Sequence, residues 1–103
     1  MKKVTLTIGH KVGSVELLTI TEICAAVTTT LAIDAFTAIP CMGMWHGVPE
    51  NSTRVEIVTD DLMADEIVAR VPELAWQLNQ EAIMCECSTA NVAFPAAALV
   101  PAA

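Results

Sequence analysis

The sequence predicts an α+β fold of the βαββαβ type, an antiparallel sheet with two helices on one face. Three observations carry this expectation. Segments 3–9, 53–59 and 82–87 alternate apolar and polar side chains, and an apolar segment fills 33–45. Two further segments repeat apolar residues at helical spacing, one behind a capping pattern and one behind a run of acids. The order is therefore strand, helix, strand, strand, helix, strand.

The first strand spans Lys3 to Gly9, with Val4, Leu6 and Ile8 on one face and Lys3, Thr5 and Thr7 on the other. A loop through His10, Gly13 and Glu16 leads to the first helix. Thr19-Ile20-Thr21-Glu22 fits a capping box, with Thr19 as N-cap, and Leu18 and Ile23 hold the staple positions. Ile20, Ile23, Cys24, Val27 and Leu31 form one buried stripe. The Thr28-Thr29-Thr30 run then weakens the helix and ends it near Leu31.

Residues 33–45 form the second strand. Pro40 cannot donate to a ladder, which places this strand at an edge or gives it a bulge. A loop from Gly43 to Ser52 follows, then the third strand, Thr53 to Thr59, with Val55 and Ile57 facing the core. Asp60 or Thr59 caps the second helix, whose stripe is Met63, Ile67, Val71, Leu74 and Leu78. Pro72 either kinks this helix or opens a second short one. Trp76 falls off the stripe and is a candidate contact. Ala82 to Cys87 is the fourth strand, with Ile83, Cys85 and Cys87 inward, and Val92 to Phe94 is a possible short fifth strand. Right-handed crossovers put the first and third strands in the centre, the ferredoxin-like arrangement. Residues 1–95 make one domain, and 96–103 an apolar tail that is either free or docked on a neighbour.

The whole chain restricts the function classes. Twelve acids against five bases give a net charge of −7, and the bases form no stripe, which argues against nucleic acid. The acids at Asp60, Asp61, Asp65 and Glu66 fit a helix N-terminus better than a metal site. Ile23 to Trp45 is long and apolar enough to span a bilayer. Asp34 near its centre would cost about 2.5–3.5 kcal/mol, and no basic cluster flanks it, so no membrane partner is expected. Gly9, His10 and Lys11 interrupt any signal-peptide core, and a cytoplasmic protein with reduced thiols is the expectation. Apolar residues make up 54% of the chain and mean hydropathy is +0.57. Alanine inflates both figures, but the balance favours a homo-oligomer.

The segment Gly43 to Arg54 holds the best candidate site. Trp45, His46, Glu50 and Ser52 fall together there, and the topology brings the loop after Gly9 alongside, with His10 directed towards Glu50. A histidine oriented by a carboxylate has the residue types for acid–base catalysis, so His10, His46 and Glu50 are the catalytic candidates. The plainer alternative is that Glu50 and Ser52 cap loop amides and Trp45 plugs the core.

Cys85 and Cys87 could ligate zinc, but a closed site needs four ligands, and Cys41 lies on the opposite edge strand, about 14 Å away at ~4.8 Å per strand. Structural thiols are favoured, with no metal and no cofactor expected. Gly9-His10-Lys11-Val12-Gly13 lacks the spacing and the following helix of a phosphate loop. The outer sheet face, with Thr5, Thr7, Phe36, Glu56, Val58, Met84 and, as a possible addition, Ala38, would be a mixed apolar surface open to another sheet or a ligand.

Two motifs carry a resemblance: Gly43-x-Trp45-x-Gly47-x-x-Glu50-x-Ser52 running into the third strand, and Asn79-Gln80-Glu81-Ala82-Ile83 where the second helix enters the fourth. In these the chain resembles small uncharacterised ferredoxin-like proteins of bacteria and their phages, which implies the fold and no activity. It is also similar in topology to PII-like trimeric regulators, whose ATP-binding loop pattern it lacks. The expected function is a homo-oligomeric module binding a small ligand through Trp45, His46, Glu50 and Ser52, or regulating through it. The alternatives are a small enzyme using His10, His46 and Glu50, and a protein-interaction module using Trp76 and the tail. The residues favour a binding module over an enzyme.

Overall fold

A computed structural model describes residues 1–92. The elements run β1 (Lys2–Gly9), β2 (Lys11–Val12), β3 (Val15–Glu16), α1 (Ile20–Leu31), β4 (Thr37–Trp45), β5 (Val48–Thr59), α2 (Asp61–Gln77) and β6 (Met84–Thr89). Four of the strands form an antiparallel sheet in the order β4-β5-β1-β6, so the first and third long strands are central, as predicted. Both helices cover one face of it. This is the ferredoxin-like βαββαβ arrangement with one small hairpin, β2–β3, added after β1.

The core is the buried face of this sandwich. Val4, Leu6 and Ile8 of β1 and Val55 and Ile57 of β5 pack beneath Ile23, Val27 and Leu31 of α1. Ala64, Ile67, Val71, Leu74 and Leu78 close it from α2. Burying each of the larger side chains contributes about 1.5–3 kcal/mol, which is what pins the register of the strands beneath.

Both helix starts follow their sequence signals. The Thr19 hydroxyl accepts from the Glu22 amide at 3.2 Å and donates to the Glu22 carboxylate at 3.0 Å. The Asp60 carboxylate accepts from the Met63 amide at 2.8 Å, so Asp60 is the cap of α2. α1 ends at Leu31, where Ala32 turns left-handed with φ 54°. α2 runs unbroken through Pro72, because the surrounding stripe stays buried and the proline faces outward.

Several details differ from expectation. The segment predicted as a loop from Gly43 to Ser52 is a β-hairpin arm: β4 and β5 stay paired to Trp45–Val48, and only His46 and Gly47 turn. Both have positive φ, 49° and 76°, the two-residue turn that matches the twist of paired strands. The arm runs beyond the helices, so its period-two pattern has no core to face and did not show. Pro40 sits in the edge strand opposite Thr53, within a register that runs unbroken from Thr37 to Trp45. Phe36 packs against the core and Ala38 pairs with core-facing Val55, so neither belongs to the outer face. The fourth strand begins at Met84, and Cys87 pairs with core-facing Val4, on the helix side as expected, but is left exposed there. Val92 is not in a strand, while Phe94 and the tail 96–103 lie outside the described residues. Among the described residues no helix is long and apolar enough to cross a membrane.

Candidate functional site

Strand alternation decides which side chains can meet at the end of the sheet. Val55 and Ile57 face the helices, so Ser52 and Glu50 on the same strand face away. The register pairs Gly9 with Ser52, Ser52 with Cys41, Glu50 with Gly43, and Val48 with Trp45. All of these positions therefore share the outer face, at the end where β1 stops and β6 begins.

Two glycines make room there. Glu50 is the diagonal neighbour of Gly9, and its carboxyl group lies where a side chain on residue 9 would be. A Cβ at Gly9 would fall 2.5 Å from Glu50 Oε1 and 2.7 Å from its Cδ. Gly43 does the same for buried Ser52, whose hydroxyl would lie 3.2 Å from a Cβ on residue 43. Glu50 is held against backbone in a half-buried position, while Ser52 lies beneath it.

The end of α2 supplies the opposite wall. The Asn79 amide donates to the Trp76 carbonyl at 3.1 Å and the Gln80 amide to the Ala75 carbonyl at 2.8 Å. Asn79 is left-handed with φ 52°, so this is a Schellman cap with asparagine in its left-handed position. The cap turns the chain sharply and delivers Gln80 and Glu81 to the sheet end. Gln80 Nε2 donates to the Lys11 carbonyl at 2.9 Å, tying the β2–β3 hairpin to this wall. Trp45 Nε1 donates to Glu81 Oε2 at 3.4 Å, joining the arm to it.

The result is a cleft of about 690 Å³, within the range of small-molecule sites (~300–1,000 Å³). Thr7, Gly9 and Met84 form its floor, Trp45, His46, Glu50 and Ser52 one side, Gln80, Glu81 and Ile83 the other, and Lys11 and Gly13 its rim. The Trp45 and His46 rings meet edge to face at 4.7 Å. Two carboxylates, an indole, an imidazole and an ammonium thus surround one space. A second groove of about 590 Å³, between α1 and α2 and lined by residues such as Thr29, Arg70 and Glu73, is shallower and has no aromatic side chain.

The four residues expected to bind ligand, Trp45, His46, Glu50 and Ser52, all line this cleft. His10 does not join them. It continues the alternation of β1 onto the helix side, where Nε2 shares a 2.7 Å hydrogen bond with the hydroxyl of buried Thr53 and Nδ1 lies 4.0 Å from Glu16. Its carbonyl accepts from the Leu17 and Leu18 amides, so His10 fastens the small hairpin to the core. The parity Ile8 inward, Gly9 outward, His10 inward held this information. Lys11, Gln80 and Glu81 were not among the expected site residues; the signal for the last two was the Leu78-Asn79 helix ending, which aims them at the sheet end.

The cysteines are apart from the cleft. Cys85 packs against the core beside β1, and burial, then the nearby Cys87 and Glu86, push its thiol pKa up, which opposes thiolate ligation. Cys41 lies on the other face and the opposite edge. Among the described residues no three His, Cys, Asp or Glu side chains are grouped as a metal site.

No protein-family model and no curated protein sequence matches the chain. Solved structures do. The chain is similar to a phage SAM lyase in complex with S-methyl-5'-thioadenosine, with a TM-score of 0.68 and 18% identity over 84% of this chain and 79% of that one. It is likewise similar to a phage SAM lyase in its apo state, with a TM-score of 0.69 and 21% identity over 84% of this chain and 78% of that one. The likeness establishes a shared small α+β fold.

Proposed function

We propose that the cleft binds S-adenosylmethionine and that the protein is a small enzyme cleaving it to S-methyl-5'-thioadenosine. The observation that carries this reading is the Glu50 carboxylate seated over Gly9, in a cleft it shares with Glu81 and Trp45. The shared fold with a SAM lyase that holds this thioether supports it. The reading takes the enzyme alternative over the binding module and leaves His10 outside the site.

The chemistry suits the residues. A sulfonium is a permanent cation, and two carboxylates beside a partly water-excluded space attract it more strongly than they would in bulk water. The Trp45 face gives a purine ring a stacking surface. Cleavage passes the S–C bonding pair to sulfur, so the sulfonium itself takes up the electrons and becomes a neutral thioether. As the S–Cγ bond breaks, an oxygen of the substrate's own α-carboxylate bonds to Cγ, so the amino-acid arm leaves as its lactone with no water or proton exchanged. Once the charge on sulfur is gone, the carboxylates hold the product less tightly than the substrate, which favours release.

Incubation with S-adenosylmethionine, followed by chromatography and mass spectrometry, tests the reading. Thioadenosine release should exceed the uncatalysed background, and Glu50→Gln should lower it about 100-fold, the loss of a charged contact to substrate. Wild-type protein that neither accelerates release nor binds S-methyl-5'-thioadenosine by calorimetry overturns it.

A further inference from the structure

We infer that Lys11 reads the α-carboxylate of the ligand's amino-acid arm, and so distinguishes the intact nucleoside amino acid from its thioether fragment. The inference rests on the reading of the cleft as a sulfonium-nucleoside site and deepens it.

Lys11 is the only basic side chain among the described residues that line the cleft, His46 aside. The others are engaged or remote: Lys3 and Arg54 pair with Glu56 at 3.5 and 3.4 Å, and Lys2 donates to Thr89. Lys11 shares the cleft with Glu50 and Glu81, yet among the described residues no carboxylate lies within 4.0 Å of its ammonium. Its ammonium donates instead to the Pro49 carbonyl at 3.4 Å, a long, exposed contact to a neutral group. Such a contact is easily exchanged for a charged acceptor, since charge-assisted hydrogen bonds are shorter and about twice as strong.

The backbone beneath is better fixed than the side chain. Gln80 Nε2 holds the Lys11 carbonyl, and the turn of the small hairpin is formed at Gly13, φ 65°. Lys11 therefore stands at the rim on an anchored base, its ammonium held only by the long contact to Pro49.

Charge matching supports the assignment. The cleft presents two negative groups and one positive one. S-adenosylmethionine presents the reverse, a sulfonium and an ammonium with one carboxylate. An anionic ligand would meet two carboxylates for a single lysine, and a simple cation would leave the lysine repelling it. A ligand with both signs satisfies all three side chains.

Three uncharged-sulfur ligands separate the carboxylate from the rest: S-adenosylhomocysteine, its decarboxylated amine, and S-methyl-5'-thioadenosine. By calorimetry, Lys11→Met should weaken S-adenosylhomocysteine about 10–100-fold, with the other two within twofold of wild type. Lys11→Arg should restore most of the lost affinity, and circular dichroism should show both variants folded. Equal weakening of all three ligands by Lys11→Met would mean that Lys11 only braces the hairpin, and no change in any would mean that it reads nothing; either overturns the inference and leaves the site reading intact. Wild-type protein that binds none of the three overturns both.

Discussion

At the scale of single residues, the site depends on one side chain occupying another's place. Glu50 uses the room that Gly9 leaves, and its carboxyl sits at the end of a flexible arm. In Gly9→Ala the new methyl group would displace that carboxyl and leave the backbone where it is. The expected outcome is a melting temperature within a few degrees of wild type, with the rate of thioadenosine release from S-adenosylmethionine lowered about tenfold or more, measured on the same sample. An unchanged rate would show that the position of Glu50 is immaterial. The residue types of this site could be read in the sequence, since Trp45, His46, Glu50 and Ser52 fall within eight positions. Their partner could not be chosen without the side of the sheet. His10 and Glu50 lie close in the topology but on opposite faces, and one residue of parity separates a hydrogen bond to Thr53 from a place in the cleft.

At the scale of elements, the signals that were legible are local ones. A capping threonine, an aspartate at the second start and apolar stripes gave both helix starts and buried faces, because a helix is specified by neighbours three and four positions apart, while the course of α2 past Pro72 stayed open. The arm was not legible. Beyond Thr53 neither of its faces is covered by a helix, and Met42 and Met44 remain 71% and 66% exposed, so burial imposes no alternation. The Schellman ending of α2 was equally hard to read, although it places two of the cleft's side chains, because asparagine is a less distinctive helix stop than glycine. That ending is testable in its own right. Asn79→Ala should cost about 1 kcal/mol in chemical denaturation, because a side chain with Cβ and no local hydrogen bonding is disfavoured at φ 52°. Asn79→Gly should cost nothing or stabilise slightly. Equal effects for the two substitutions would show that the left-handed residue does not govern the turn.

At the scale of the molecule, the two faces of the sheet have separate duties. The helix side carries the buried core, and the outer side carries polar and mixed positions ending in the cleft. Apolar surface remains outside both. Met42, Met44 and Val48 line the arm, and Leu62 and Trp76 stand 74% and 75% exposed on α2. We propose that part of this surface is covered by further copies of the chain, as the composition leads one to expect. Size-exclusion chromatography with light scattering should give a mass at a multiple of 10.9 kDa, and a single monomer peak at micromolar concentration would oppose it.

The glycine beneath Glu50 has a consequence for descent. A larger residue at position 9 displaces the acid at position 50, because the two compete for one volume. Among relatives of this chain, a glycine without the acid marks a site that has lapsed or changed its ligand. A larger residue facing an intact acid marks a carboxyl that has swung out of its place while the strands stay put.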